Sequence, residues 1–194
     1  MTTTNAPDRP ALWPAAFLAG AFLCLVLIHA LLIGEAPVDA LCLLLLMILW
    51  CGVTLAAVFL SIRAGHRNQP RRAWSLAVLP LAFMVTVFQP RLVLGKARTL
   101  GDHLHFALER RDYLAQIRAL PDTGAPKLMV VGWGGFIVAS TSLVYDESDE
   151  VTLPPERRSA TWKARAEHTD LACPYGYEVR TPLDNHFYAV GVAC

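Results

Sequence analysis

Residues 41–50 read LCLLLLMILW. The decamer has no charged residue and lies at the centre of an apolar stretch running from about Val38 to Ile62. At about 1.5 Å of helical rise per residue, such a stretch covers the roughly 30 Å hydrocarbon core of a bilayer. It therefore reads as a transmembrane helix, and the rest of the chain is interpreted outward from it.

Upstream, Pro14 to Ile33 is a second apolar stretch of sufficient length, preceded by Trp13 as an interfacial anchor. The preceding TTTNAPDRP lacks the charged n-region of a secretory signal. GEAPVDA offers a poor cleavage site, so the stretch reads as a retained anchor. Downstream, AWSLAVLPLAFMVTVF (73–88) is shorter and carries Pro80, which is expected to kink it. The reading favoured here is a third span, with a re-entrant or surface-lying segment as the alternative. The expected organisation is a tail at 1–13, a three-helix membrane region at 14–94 (14–33, 38–62 and 73–90), and an extramembrane domain at 95–194.

Charge divides the chain in the same place. Residues 1–98 hold about 3 acidic and 8 basic side chains, and residues 99–194 about 13 and 9. The loop between the first two spans has no Lys or Arg, whereas the next carries Arg63, Arg67, Arg71 and Arg72. The positive-inside rule then puts the N-terminus in the cytoplasm and the C-terminal domain outside, despite Arg91, Lys96 and Arg98 on the outer side. The acidic balance of that domain, without a Lys/Arg stripe, argues against nucleic acid as a partner.

Cys173 and Cys194 are the domain's two cysteines. In an oxidising compartment they would pair, closing a loop worth roughly 3 kcal/mol in the chain-entropy model. Free thiols are the alternative. Cys24, Cys42 and Cys51 lie within the spans as small hydrophobes.

The domain reads as α+β with antiparallel strands. A helix is expected from about Thr99 to Leu120, continuing from the third span, capped by Asp102 and ended by Pro121. KLMVVGW and FIVASTSLVY flank Gly134-Gly135 as a hairpin. A short helix from Pro155 to about Glu167 follows. YEVRT and HFYAVGVA, joined by PLDN, form a second hairpin.

Chemistry is sparse in this sequence. Asp146-Glu147-Ser148-Asp149-Glu150 alternates oxygen ligands, making Asp146, Asp149 and Glu150 weak metal candidates. The EF-hand's central Gly and distant Glu are missing, so a solvated turn is the simpler reading. Asp146, Glu147, Asp149, Glu150 and Trp133 are the expected interaction surface, with Trp162, Tyr175, Tyr177, Phe187 and Tyr188 as further aromatics. His29, near the end of the first span, is expected to reach water rather than serve a proton relay. His103 and His105, two apart on a helix, point away from each other. His168, Asp170, Asp184 and His186 are the best residues for an enzymatic cleft, although no catalytic, phosphate-cradling or Cys-x-x-Cys motif accompanies them. No cofactor is implied.

SLVYDESDEV, the following Pro-Pro and a C-terminal segment bounded by two cysteines resemble a group of uncharacterised bacterial membrane proteins over roughly residues 90–194. The resemblance implies a bacterial inner membrane with a periplasmic domain, and no activity. The expected role is a non-enzymatic accessory or interaction module for another membrane or periplasmic protein. An immunity protein against a membrane-acting or periplasmic toxin, and a periplasmic hydrolase or metal-responsive sensor, are the alternatives. Oligomeric state is not legible.

Overall fold

The computed structural model describes residues 8–32, 36–136 and 139–193. The tail before Asp8, part of the first loop and Cys194 lie outside the described residues. Helices α1 (Trp13–Leu31), α2 (Ala36–His66), α3 (Pro70–Phe88) and α4 (Pro90–Ala119) precede strands β1 (Leu128–Phe136) and β2 (Ala139–Asp146). Helix α5 (Ala160–Ala166) and strands β3 (Tyr177–Asp184) and β4 (Phe187–Ala193) complete the chain. Three helical segments, Trp13–Leu31, Leu41–His66 and Pro70–Phe88, are long and apolar enough to cross a membrane. A membrane-helical part followed by an α+β domain is therefore the architecture.

Two compact units emerge. One comprises Met1–Val26 with Leu41–Ala97, the other Leu27–Ala40 with Arg98–Cys194. The second unit thus takes the last turn of α1 and the start of α2 together with everything from Arg98 on.

In the first unit, α2 ends where Asn68 adopts a left-handed conformation (φ 53°) and Gln69 N–H returns to the Ala64 carbonyl at 3.0 Å. Helix α3 begins at Pro70, earlier than expected. Proline suits the first helical position, and the Asp8 carboxylate accepts from the N–H groups of Arg71 and Arg72, both at 3.2 Å. The helix is unbroken through Pro80. It stops at Phe88 because Pro90 disfavours helical backbone at Gln89 (φ −130°, ψ 59°). The expected continuous helix is therefore two, with a break at Gln89. Trp50 meets Phe83 edge-on at 6.1 Å, and Leu44, Leu45, Ile48 and Leu49 are exposed, as lipid-facing side chains would be. An apolar cavity of about 360 Å³ is lined by residues including Phe22, Trp50 and Val85.

In the second unit the sheet is antiparallel, in the order β1-β2-β4-β3. Alternation places Met129, Trp133, Leu143, Phe187 and Ala189 in one core with Phe106, Tyr113 and Ile117 of α4. Val144, Val190 and Val192 join the opposite core, with Val151, Trp162, Ala166 and Leu171 from the β2–β3 connection. Both faces of the sheet are thus covered, and the domain's aromatics mostly fill cores. Tyr175 is the exception, 80% exposed.

The expected turns move. Gly134-Gly135 lies inside β1, where a register shift between Gly132 and Gly134 marks a bulge and Gly134 has φ 105°. Pro182 to Asp184 belongs to β3, and the hairpin loop is Asn185-His186. The helix expected from Pro155 is split into a 3-10 turn, Pro155–Arg157, and α5, whose start is fixed by Ser159 accepting from Trp162 N–H at 3.1 Å.

Candidate functional site

Arg98 and Asp102 are one turn apart on α4 and share a face. Asp102 is 1% exposed, and its two oxygens have different partners. Oδ1 accepts from Nε2 of His29 at 2.8 Å, and Oδ2 from the Thr181 hydroxyl at 3.1 Å. Asp102 is therefore a buried hub of the second unit, not the helix cap expected, and His29 turns to a carboxylate rather than to water. Beside it, the Thr141 hydroxyl of β2 accepts from Nη2 of Arg98 and Nη1 of Arg180, each at 3.1 Å.

A bulge puts Arg180 there. In the β3–β4 register Val179 faces Val190 and Thr181 faces Ala189, so Arg180 is the extra residue and its side chain is re-aimed. Its guanidinium lies so close over Gly191 that a Cβ there would collide with it. Partial desolvation, then the neighbouring Arg98, lowers the proton affinity of Arg180, which still reaches solvent, while Asp102 and Glu178 support its charge.

The same helix continues a polar chain. His105 donates from Nδ1 to the Ala30 carbonyl at 2.8 Å and faces Trp133 edge-on at 4.8 Å. Trp133 donates from Nε1 to the Tyr113 hydroxyl at 2.9 Å, and Tyr113 donates to Glu109. Burial, then the Glu109 hydrogen bond, pushes the Tyr113 hydroxyl well above the usual tyrosine range. Trp133, expected at the surface, is 4% exposed and structural.

The acidic run separates into different roles. Asp146 is fully buried and accepts from Ser148 N–H (3.1 Å), Ser148 Oγ (2.6 Å), Val151 N–H (2.7 Å) and Trp162 Nε1 (2.8 Å). That saturates the carboxylate and removes Asp146 from the expected surface. Glu150 turns to Ser159, whose hydroxyl donates to it at 2.9 Å. Glu147 accepts from Lys127 N–H at 2.7 Å and stays exposed. Asp149 accepts on Oδ1 from His186 Nδ1 at 2.9 Å and from the Tyr188 hydroxyl at 2.7 Å. Burial opposes its charge, but these two hydrogen bonds and His186 hold its carboxyl below the usual range. Asp146, Asp149 and Glu150 do not converge. Among the described residues no group of three or more His, Cys, Asp or Glu could hold a metal ion.

Nor do the enzymatic residues meet. Asp184 binds Arg110 (2.7 and 3.1 Å), His186 binds Asp149, Asp170 receives a 3.4 Å contact from Ser142, and His168 is exposed in the turn after α5. The His29–Asp102 pair resembles two members of a catalytic triad, but the nearby hydroxyl, Thr181, donates to the aspartate and is not positioned for activation by the imidazole. No family model, curated protein or solved structure matches the chain.

Sequence reading missed Arg98, Thr141, Arg180 and the His29–Asp102 pair. One local signal existed, an arginine amid the alternation of YEVRTP, but the partners are dozens of residues apart. Cys173 is half-buried beside the second core. Its expected pairing with Cys194 lies outside the described residues.

Proposed function

We propose that the protein is a non-enzymatic accessory protein of the bacterial inner membrane whose periplasmic domain docks another membrane or periplasmic protein. The observation that carries this reading is the tip built from Asp149 and His186, which reach solvent, and held from below by the partly buried Tyr188. Asp149 (φ 57°) and His186 (φ 62°) both occupy the left-handed region, which is uncommon for residues other than glycine, and they hydrogen-bond each other at the surface. The side-chain relative exposures are 48% for Asp149 and 39% for His186. Backbone strain retained at an exposed, rigid, polar tip favours recognition over packing, and Glu147 extends the acidic surface beside it.

Asp102, Asp146 and His105 support the same reading, since each is engaged by hydrogen bonds inside the fold. The Cys173–Cys194 pairing is part of the proposal. Its support is that Gly176 N–H bonds the Cys173 carbonyl at 2.8 Å and Ala193 N–H bonds the Gly176 carbonyl at 3.2 Å.

Two measurements test it. In intact cells, a variant retaining only Cys173 and Cys194 should react with an impermeant maleimide only after reduction. Labelling that needs lysis and no reductant would place the domain in the cytoplasm. A photocrosslinking residue at position 147 should capture a specific partner that Asp149→Ala weakens and that a probe at exposed His168 does not capture. Equal capture from both positions would count against the tip as the docking surface.

A further inference from the structure

Independently of that docking surface, we propose that Arg98, Arg180 and Thr141 form a binding site for a phosphate group, of the kind carried by an anionic phospholipid or a soluble phosphate. Three donors from α4, β2 and β3 converge there. Each guanidinium has five N–H groups and gives one to Thr141. The Thr141 oxygen thus has both lone pairs engaged, which leaves its own proton to donate, and Thr141 is only 5% exposed. Planar guanidinium forks match phosphate oxygens in geometry as well as charge.

The charges are unbalanced in the right sense. Neither Arg98 nor Arg180 makes a salt bridge among the described residues. Asp102, the buried carboxylate beside them, is engaged with His29 and Thr181, and Glu178 acts on Arg180 at longer range. Two cations held against one hydroxyl repel each other, and an anion between them would relieve the repulsion. The fold commits two unusual features to this arrangement, the bulge at Arg180 and the absence of a side chain at Gly191.

Position favours the lipid source. Asp102, one turn after Arg98, is bonded to His29 in the last turn of an apolar helix able to cross a membrane, where headgroup phosphates are found. Leu31 and Leu100, 63% and 49% exposed, give acyl chains apolar surface in the same unit.

The test uses the full-length protein in a neutral detergent, with short-chain phosphatidylglycerol, the matching phosphatidylcholine and inorganic phosphate as separate probes. Binding is read by native mass spectrometry and by the shift in melting temperature. Phosphatidylglycerol should bind wild type in preference to phosphatidylcholine, and at least about tenfold more weakly to Arg98→Gln or Arg180→Gln. Gly191→Ala displaces the Arg180 guanidinium without removing a charge and should give a similar loss, while Lys96→Gln should give none. Near-UV circular dichroism of the buried tryptophans checks that each variant is folded, and Arg98→Lys replaces Arg98→Gln if it is not. Binding of inorganic phosphate with the same arginine dependence supports the site and assigns it to a soluble ligand. Lack of binding by wild type, or equal binding by wild type, Arg180→Gln and Gly191→Ala, overturns the proposal.

Discussion

Asp146 and Asp102 show how differently two buried carboxylates can be used. The first accepts four hydrogen bonds and ties the β2 terminus to the following 3-10 turn and to Trp162. Asp146→Ala would strand the buried Val151 N–H and Trp162 Nε1–H and free the part-buried Ser148 donors, and should cost at least about 3 kcal/mol, whereas Trp162→Phe, which removes one donor, should cost about 1–2 kcal/mol. Thermal unfolding in detergent, followed by near-UV circular dichroism, would read both, and equal effects would refute the ranking. Asp102 has fewer partners, but one comes from a segment 73 residues away. Asp102→Ala should destabilise by about 2–4 kcal/mol and His29→Ala by a comparable amount, with the double variant falling well short of their sum. Additive losses would show that the pair is not coupled.

At the level of elements, helix and strand identity was legible because periodicity and breakers report it. The apolar runs, Pro121 and the alternating strands needed no tertiary information. The misread positions were those where a local signal has two meanings. Gly134-Gly135 looks like a turn but serves a bulge within β1, and the Pro of PLDN sits in the edge strand β3, where a missing N–H is tolerated. Asp102 looks like a cap at the start of an amphipathic run, yet the helix begins twelve residues earlier at Pro90. The start of α3 depends on a distant residue: Asp8 caps it through the N–H groups of Arg71 and Arg72. Asp8→Ala should therefore lower stability by about 1 kcal/mol, as should Ser159→Ala at α5. Amide hydrogen exchange should show the loss confined to the first turn of α3 or α5 respectively; protection unchanged at both would refute the caps.

For the whole molecule, pH gives two windows. The carboxyls of Asp149 and Asp184 are held below their ordinary value of 3.8, the latter by hydrogen bonds from Arg110 and Asn185 N–H. Their stabilisation is complete above that value and is lost as pH falls through their folded values. Both are well exposed, so each should contribute less than about 1 kcal/mol. Tyr177 and Tyr188 are pushed up to about 12, mainly by burial. Their contribution is intact below the ordinary value of 10.0 and declines as pH rises toward about 12. Asp184→Asn should weaken the acid limb and leave the alkaline limb in place, whereas Asp149→Asn should weaken both, because the Asp149 carboxylate also helps to raise Tyr188, and ultraviolet titration of tyrosinate should show Tyr113, Tyr145, Tyr177 and Tyr188 all titrating late. An unchanged acid limb in both Asp149→Asn and Asp184→Asn would contradict the geometry. The candidate site was the least legible feature at this scale, because its residues acquire meaning only when β3 bulges and the end of α1 returns beside α4.

The last turn of α1 has a practical consequence for anyone dividing this chain. His29 and Ala30 belong to the same compact unit as the sheet, although nearly seventy residues separate them from Arg98. A soluble fragment cut at Arg98 would keep every strand and both cores, yet leave Asp102 buried without its imidazole and His105 without the Ala30 carbonyl. Nor would fusing that fragment to an unrelated membrane anchor repair it, because the first helix supplies part of the folded domain as well as a tether. The domain is a discontinuous module, and its smallest faithful excision must carry residues 27–40 with it.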